Sequence, residues 1–208
     1  MAVFQTHLIG GVVTGAGVGS VGMFSDSLDI IQVIAVFFMG TLGGLLPDLD
    51  SDTGKPLSLL FQLVSVLIPA LLLDKAVQVG GSSVEFIISY FLVSYILLKY
   101  VICIIVKKIT VHRGMMHSLP FALLCGGFAF LLFETSGKDV SLFAGISVSS
   151  GCFVHLLLDE MHSIKLKFGF IPVLKTSAGS ALKLKSGSWP PTVLHYLMLA
   201  GVLLMIVL

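Results

Sequence analysis

Charge is what this chain has least of. Only 11% of its 208 residues are Asp, Glu, Lys or Arg, while 56% are hydrophobic; a soluble domain averages about 25% charged and roughly 45–50% apolar. So few charges cannot cover a water-facing surface, and the composition points to lipid as the surrounding medium. A formal net charge of +1 lacks the positive excess that a nucleic-acid partner requires, so none is expected. Cysteine is scarce as well. Cys103, Cys125 and Cys152 each lie inside an apolar run and form no C-x-x-C pair, which excludes a zinc ribbon or a disulfide framework and leaves packing as their role. No charged segment with a cleavage site stands before the first apolar run, so residues 2–23 are expected to be a retained helix rather than a signal peptide.

What is abundant is apolar sequence of bilayer length. Runs near 2–23, 28–46, 57–73, 84–106, 118–133, 140–161 and 192–208 predict an all-α, polytopic helical membrane protein with about seven transmembrane or membrane-embedded helices. The whole chain, 1–208, reads as a single membrane-embedded domain with a basic loop at about 162–191. The fifth and seventh runs are short, which suits tilted or partial insertion. Gly11, Gly15 and Gly19 recur every fourth residue, so they share one helix face and allow a neighbouring backbone to come close.

If the seven runs alternate across the bilayer, one side receives the amino terminus and segments 47–56, 107–117 and 162–191. That side collects Lys55, Lys107, Lys108, Arg113, Lys165, Lys167, Lys175, Lys183 and Lys185. The other holds Lys75 and Lys138, with Lys99 inside a run. The positive-inside rule makes the first side cytoplasmic, and Trp189 fits an interfacial anchor there. In the loop at 162–191, Phe168, Phe170 and Ile171 can dip into the headgroup region, which suits contact with membrane lipids; a lid is the other reading.

The same side gathers the histidines and aspartates. His7 opens the first run, Asp48 and Asp50 close the second, His112 and His117 precede the fifth, and His155 and Asp159 end the sixth. Ionisable groups at membrane depth are costly unless they serve a shared purpose. His155 and Asp159 are four apart, so both project from one helix face and can grip one cation. In Pro47-Asp48-Leu49-Asp50-Ser51-Asp52 the proline ends a helix and carboxylates alternate along the turning chain. An EF-hand is excluded because Thr53 and Leu59 stand where its Gly and Glu belong. Asp52 or Ser51 also suits a cap on the next helix, with Pro56 in its first turn.

In Val111-His112-Arg113-Gly114-Met115-Met116-His117-Ser118 the two histidines are five apart, and Gly114 supports a loop in which they converge. Arg113 can hold a phosphate or carboxylate through two hydrogen bonds. Ser118 suits a helix cap better than a nucleophile. Glu160, beside Asp159, suits an orienting group or a general base, whereas His162 and His195 stay outside the set. Imidazole nitrogens and carboxylate oxygens without thiolates favour Zn²⁺, with Mn²⁺ or Fe²⁺ as alternatives, as one ion or two.

These motifs in order resemble a family of bacterial inner-membrane-associated proteins described as metal-dependent hydrolases and sometimes labelled LexA-binding. The stretches that carry the resemblance are Thr6-His7-Leu8-Ile9-Gly10-Gly11, Leu46-Pro47-Asp48-Leu49-Asp50-Ser51-Asp52, Val111-His112-Arg113-Gly114 with His117-Ser118, and His155-Leu156-Leu157-Leu158-Asp159-Glu160. The scattered His and Asp residues are also loosely similar to those of zinc-dependent phospholipase C. The resemblance implies His7, Asp48, Asp50, His117, His155 and Asp159 as metal ligands, with His112, Arg113 and Glu160 in catalysis. Through the later segment 175–184 it implies Lys175, Ser177 and Lys183 as contacts to an anionic substrate.

The expectation that follows is a hydrolase of the bacterial inner membrane, multi-pass, with its amino terminus and site cytoplasmic, cleaving a phosphoester of a lipid or lipid-linked substrate by metal-activated water. A proton- or metal-ion transporter, and a non-catalytic scaffold with a structural metal, are the other readings. Transport asks for polar residues through to the far face, where this sequence has few.

Overall fold

The computed structural model describes residues 3–50, 54–105, 116–162, 164–167, 171–174, 183–185 and 189–208, with side chains undescribed at 49–60, 164–174 and 191. Apart from turns, one pair of short strands and an isolated bridge between Ser118 and Lys183, these residues are helical. In order they form α1 (Phe4–Phe24), α2 (Ile30–Gly43), a 3-10 turn (Leu46–Asp50), α3 (Gly54–Leu71), α4 (Leu73–Gly80), α5 (Val84–Ile96) running on through a π-helical stretch (Leu97–Ile102), α6 (Leu119–Leu132), a 3-10 turn (Glu134–Ser136), α7 (Lys138–Met161), strands β1 (Ile164–Lys167) and β2 (Ile171–Leu174), and α8 (Trp189–Val207). The strands pair Ile164 with Leu174 and Lys167 with Ile171, antiparallel; the sequence reading expected only a basic loop there.

Every expected apolar run is helical, which makes this an all-α membrane protein. Phe4–Phe24, Val84–Ile105 and Lys138–Met161 are long and apolar enough to cross a bilayer, and Phe61–Leu71 with Leu73–Gly80, bent by 54°, makes a fourth if the pair is one span. Ile30–Gly43, Leu119–Leu132 and Thr192–Val207 are shorter apolar helices. At about 1.5 Å per residue, a helix of 14 residues such as α2 spans only about 21 Å, less than the hydrocarbon core of about 30 Å. By that standard three or four helices among the described residues are long and apolar enough to cross, and the count of seven stays an expectation.

Local chemistry sets the helix ends. Asp29 caps α2, its carboxylate accepting from the backbone N–H groups of Ile31 and Gln32 while the Gln32 side chain accepts from Asp29 N–H, a reciprocal capping box. Ser118 caps α6 by accepting from Phe121 N–H at 3.3 Å, and Pro120 occupies its first turn, where a missing N–H costs nothing. Gly137, at φ +106°, makes the turn into α7 that a side chain would resist.

Packing divides the described chain into two compact units, residues 1–48 with 113–208, and residues 49–112. In the first, α1, α2 and α7 pack mutually, while α6 lies against α7 and α8. Glycine makes the first three contacts close. A Cβ on Gly11 would stand 2.8 Å from the Thr41 carbonyl oxygen, one on Gly15 would run into the Phe37 carbonyl, and one on Gly151 would meet Gly40 and Gly44 backbone. Ser147 donates its hydroxyl across from α7 to the Val36 carbonyl oxygen at 2.8 Å. Lipid tails give apolar helices no hydrophobic reason to associate, so close backbone packing and such interhelical hydrogen bonds hold the unit together.

In the second unit α3 packs against α5. Pro69 lies within α3, and the Tyr90 hydroxyl of α5 donates to its carbonyl oxygen at 3.0 Å. Lys99 sits in the π-helical stretch and donates to the Tyr95 hydroxyl.

Because carbonyl groups cannot yield as a flexible side chain can, Gly15→Leu should destabilise the first unit by about 1–3 kcal/mol or more. Gly17→Ala, with no atom within 4 Å of the new Cβ, should be neutral or stabilising by up to about 1 kcal/mol. Thermal unfolding in detergent checks the pair, and equal melting of the two variants would refute the close-packing account.

Candidate metal centre

The glycine contacts end at a cluster of polar side chains. His7 lies one turn into α1, Asp48 on the 3-10 turn after α2, His117 just before α6, and His155 with Asp159 on the last turns of α7. Helix starts and helix ends therefore meet at one end of the first unit. The decisive approach is at Gly44: a Cβ there would stand 2.7 Å from Gly11 Cα and 3.0 Å from the His7 carbonyl oxygen. Gly44 also exposes an unpaired carbonyl at the end of α2, and His155 donates its Nδ1–H to that oxygen at 2.7 Å. With the proton on Nδ1, the lone pair of His155 lies on Nε2, the arrangement usual in a metal-ligating histidine.

The rings of His7 and His155 stack, centroids 3.6 Å apart and 14° from parallel, and His117 meets His155 edge-on at 5.5 Å. Asp159 Oδ1 is 3.2 Å from His7 Nε2, and its Oδ2 is 3.7 Å from His117 Nε2 and 4.0 Å from His155 Nε2. Asp48 Oδ1 lies 3.7 Å from His155 Nε2 and 3.9 Å from His117 Nε2. Two overlapping trios result, His7 with Asp48 and His155, and His117 with His155 and Asp159; within each trio the candidate ligand atoms lie inside 4.8 Å of one another. His155 belongs to both.

The donor set fits a divalent cation. Relative exposure is 0% for His155, 1% for His7, 2% for His117 and 6% for Asp159, and burying a polar group unbonded costs roughly 2–7 kcal/mol. Yet His155 Nε2 and both ring nitrogens of His7 make no hydrogen bond, the 3.2 Å approach of Asp159 to His7 lacking the direction of one. A buried lone pair on His155 and another on His7, close to the carboxylates of Asp48 and Asp159, are what a cation would satisfy. The side chain of Asp48, at 13% exposure, is the most open of the five.

The other expected site residues distribute as follows. Asp50 shares the 3-10 turn with Asp48, but its side chain lies outside the described residues, as do His112, Arg113, Lys175 and Ser177. Glu160 is half-buried on α7 and belongs to neither trio. Lys183 comes close to the centre through its main chain: its carbonyl oxygen accepts from Leu119 N–H at 3.2 Å, two residues from His117. His162 hydrogen-bonds within its own helix, to the Leu158 carbonyl oxygen at 2.8 Å, and the His195 ring faces Phe121. Sequence reasoning missed Gly44 and Gly151; the signal was the pair Gly43-Gly44 three residues before Pro47-Asp48, which invites a backbone contact beside the carboxylates.

Fold and cluster together define a helical membrane protein with a buried His–Asp group able to hold a metal ion. The family described as YdjM inner membrane protein matches residues 1–208, and the chain belongs to that bacterial inner-membrane family. Neither a curated protein nor a solved structure matches the chain.

Protein purified without chelator should carry a divalent metal by elemental analysis. His155→Ala and Asp159→Ala should each weaken its retention by more than about 10- to 100-fold, the loss typical of removing a group that only orients a ligand. His195→Ala should retain it fully. Undiminished metal in the first two variants would show that the cluster is not where the ion sits.

Proposed function

We propose that this protein is a membrane-embedded metal-dependent hydrolase cleaving a phosphoester of a lipid or lipid-linked molecule at the cytoplasmic face. One observation supports the reading above all: three imidazoles and two carboxylates from four separate parts of the chain converge in a buried cluster, the ligand atoms of each trio within 4.8 Å. Histidine and aspartate without thiolate suit Zn²⁺ best, with Mn²⁺ or Fe²⁺ next, as one ion or a pair sharing His155. A bound ion of this kind supplies Lewis acidity and brings the pKa of water toward neutrality.

The chain's own groups supply orientation and proton handling. His155 is aimed by its bond to Gly44, and Asp159 is set between His7 and His117 by its place one turn further along α7. Asp48, the most open of the cluster, marks the side from which substrate approaches. Glu160 is assigned as the proton acceptor, with His112 in proton transfer and Arg113 on the phosphate. Lys175, Ser177 and Lys183 complete the contacts to an anionic group. A cluster at helix ends lies at headgroup level, which favours a substrate drawn from the membrane, and the lysine excess on that side supports a cytoplasmic position.

Deep burial favours one alternative, a non-catalytic scaffold in which a structural ion ties α1, α2, α6 and α7 together. Structural sites are closed, whereas catalytic ones keep a position open for water or substrate.

Purified protein supplied with Zn²⁺ or Mn²⁺ should release a phosphorylated or dephosphorylated product from bacterial phospholipids. Asp48→Ala and His155→Ala should each lower turnover at least about 100-fold, more than the loss of an orienting group explains. Unchanged turnover in both variants excludes the hydrolase; metal retained without any turnover in the native protein favours the scaffold. For orientation, alkaline phosphatase fused after Leu208 should be active and the same enzyme fused at Lys185 inactive, and the reverse pattern would overturn the cytoplasmic assignment.

A further inference from the structure

Beside the cluster, but separate from its ligands, the first unit carries an open groove of about 870 Å³ between segment 183–185 and the start of α8, lined by Lys183, Lys185, Trp189, Val193, Tyr196 and Leu197 among others. Its volume lies within the range of small-molecule sites, roughly 300–1,000 Å³. The wall that carries the lysines is tied down at Lys183 and Leu184. Leu119 N–H donates to the Lys183 carbonyl oxygen at 3.2 Å, and the Tyr196 hydroxyl donates to the Leu184 carbonyl oxygen at 3.0 Å. The two cationic side chains thus spring from a fixed main chain.

Charge and hydrocarbon meet in the groove. Lys183 and Lys185 line it together with Trp189, which is 77% exposed and of the residue type that prefers the membrane–water interface. Val193 and Leu197 follow at i+4 and i+8 on the same helix face, reaching about 12 Å further along α8. A helix from 189 to 207 with no Asp, Glu, Lys or Arg suits a lipid environment more than water. A phospholipid carries phosphate and hydrocarbon in one molecule. Inorganic phosphate has no use for the aliphatic end, and a zwitterionic headgroup gains less from two lysines.

We propose that this groove binds one anionic phospholipid, its phosphate at Lys183 and Lys185 and an acyl chain along Val193 and Leu197. The groove shares Lys183 with the substrate contacts assigned above, but none of the residues in the metal cluster lines it, so its occupancy is read without turnover. It sets an anionic lipid beside the strand of chain that runs into His117.

Trp189 is the protein's single tryptophan and reports on the groove directly. In detergent micelles doped with brominated lipids, brominated phosphatidylglycerol should quench Trp189 with roughly five-fold higher apparent affinity than brominated phosphatidylcholine, as expected for basic side chains near an anionic headgroup. The preference should vanish in a Lys183→Gln/Lys185→Gln double variant and survive millimolar inorganic phosphate. It should also survive stripping of the metal with chelator, so failure of the hydrolase reading leaves this one standing. Equal quenching by the two lipids in the native protein, which needs no variant, overturns the proposal. So does a preference that persists without the lysines, or one that inorganic phosphate abolishes.

Discussion

The structure turns on backbone meeting backbone where α1, α2 and α7 cross. In lipid, apolar side chains gain little by touching other apolar side chains, because hydrocarbon surrounds them in either case. Helices associate when small residues let main chains come within van der Waals range and when polar groups bond across the gap. Gly11, Gly15, Gly40, Gly43, Gly44 and Gly151 provide the first, and Ser147 bonded to the Val36 carbonyl provides the second. Gly44 links packing to chemistry, since the residue that touches Gly11 and the His7 carbonyl also accepts the hydrogen bond that orients His155. Were these helices held apart by side chains, the imidazoles of His7 and His155 could not stack.

Electrostatics explains why such a cluster is tolerated. Three buried imidazoles and two carboxylates have lost most of their water, and uncompensated polar groups in that state are expensive. A divalent ion would satisfy buried lone pairs and balance the carboxylates in one step, coupling metal affinity to the stability of the helix junction. The junction gathers parts far apart in sequence, from residue 7 to residue 159, so its occupant would clamp the first unit along its whole length. The family assignment adds location in the bacterial inner membrane.

The lysine groove shows a different use of the same boundary. Segment 183–185 is stitched to α6 on one side and to α8 on the other. Its main chain is therefore held beside the apolar α8, and charge beside hydrocarbon is a pattern that soluble ligands seldom match.

Much of this was legible before any coordinates. Sparse charge and apolar runs of about 20 residues determine an all-helical membrane protein, because in hydrocarbon the backbone must satisfy its own hydrogen bonds. The i, i+4 spacing of His155 and Asp159 follows from helix geometry, and the placing of His7, Asp48 and His117 near helix ends follows from the bounds of the apolar runs. The four-residue glycine spacing announces a close contact but not its partner. Tertiary structure alone decided that Gly11 and Gly151 both meet the end of α2, that Gly44 rather than a carboxylate orients His155, that Lys183 pairs with the residues beside His117, and that Ile164–Lys167 pairs with Ile171–Leu174. The reason is range: composition and periodicity report a residue's own turn and its solvent, whereas the identity of a contact 100 residues away depends on how whole helices cross.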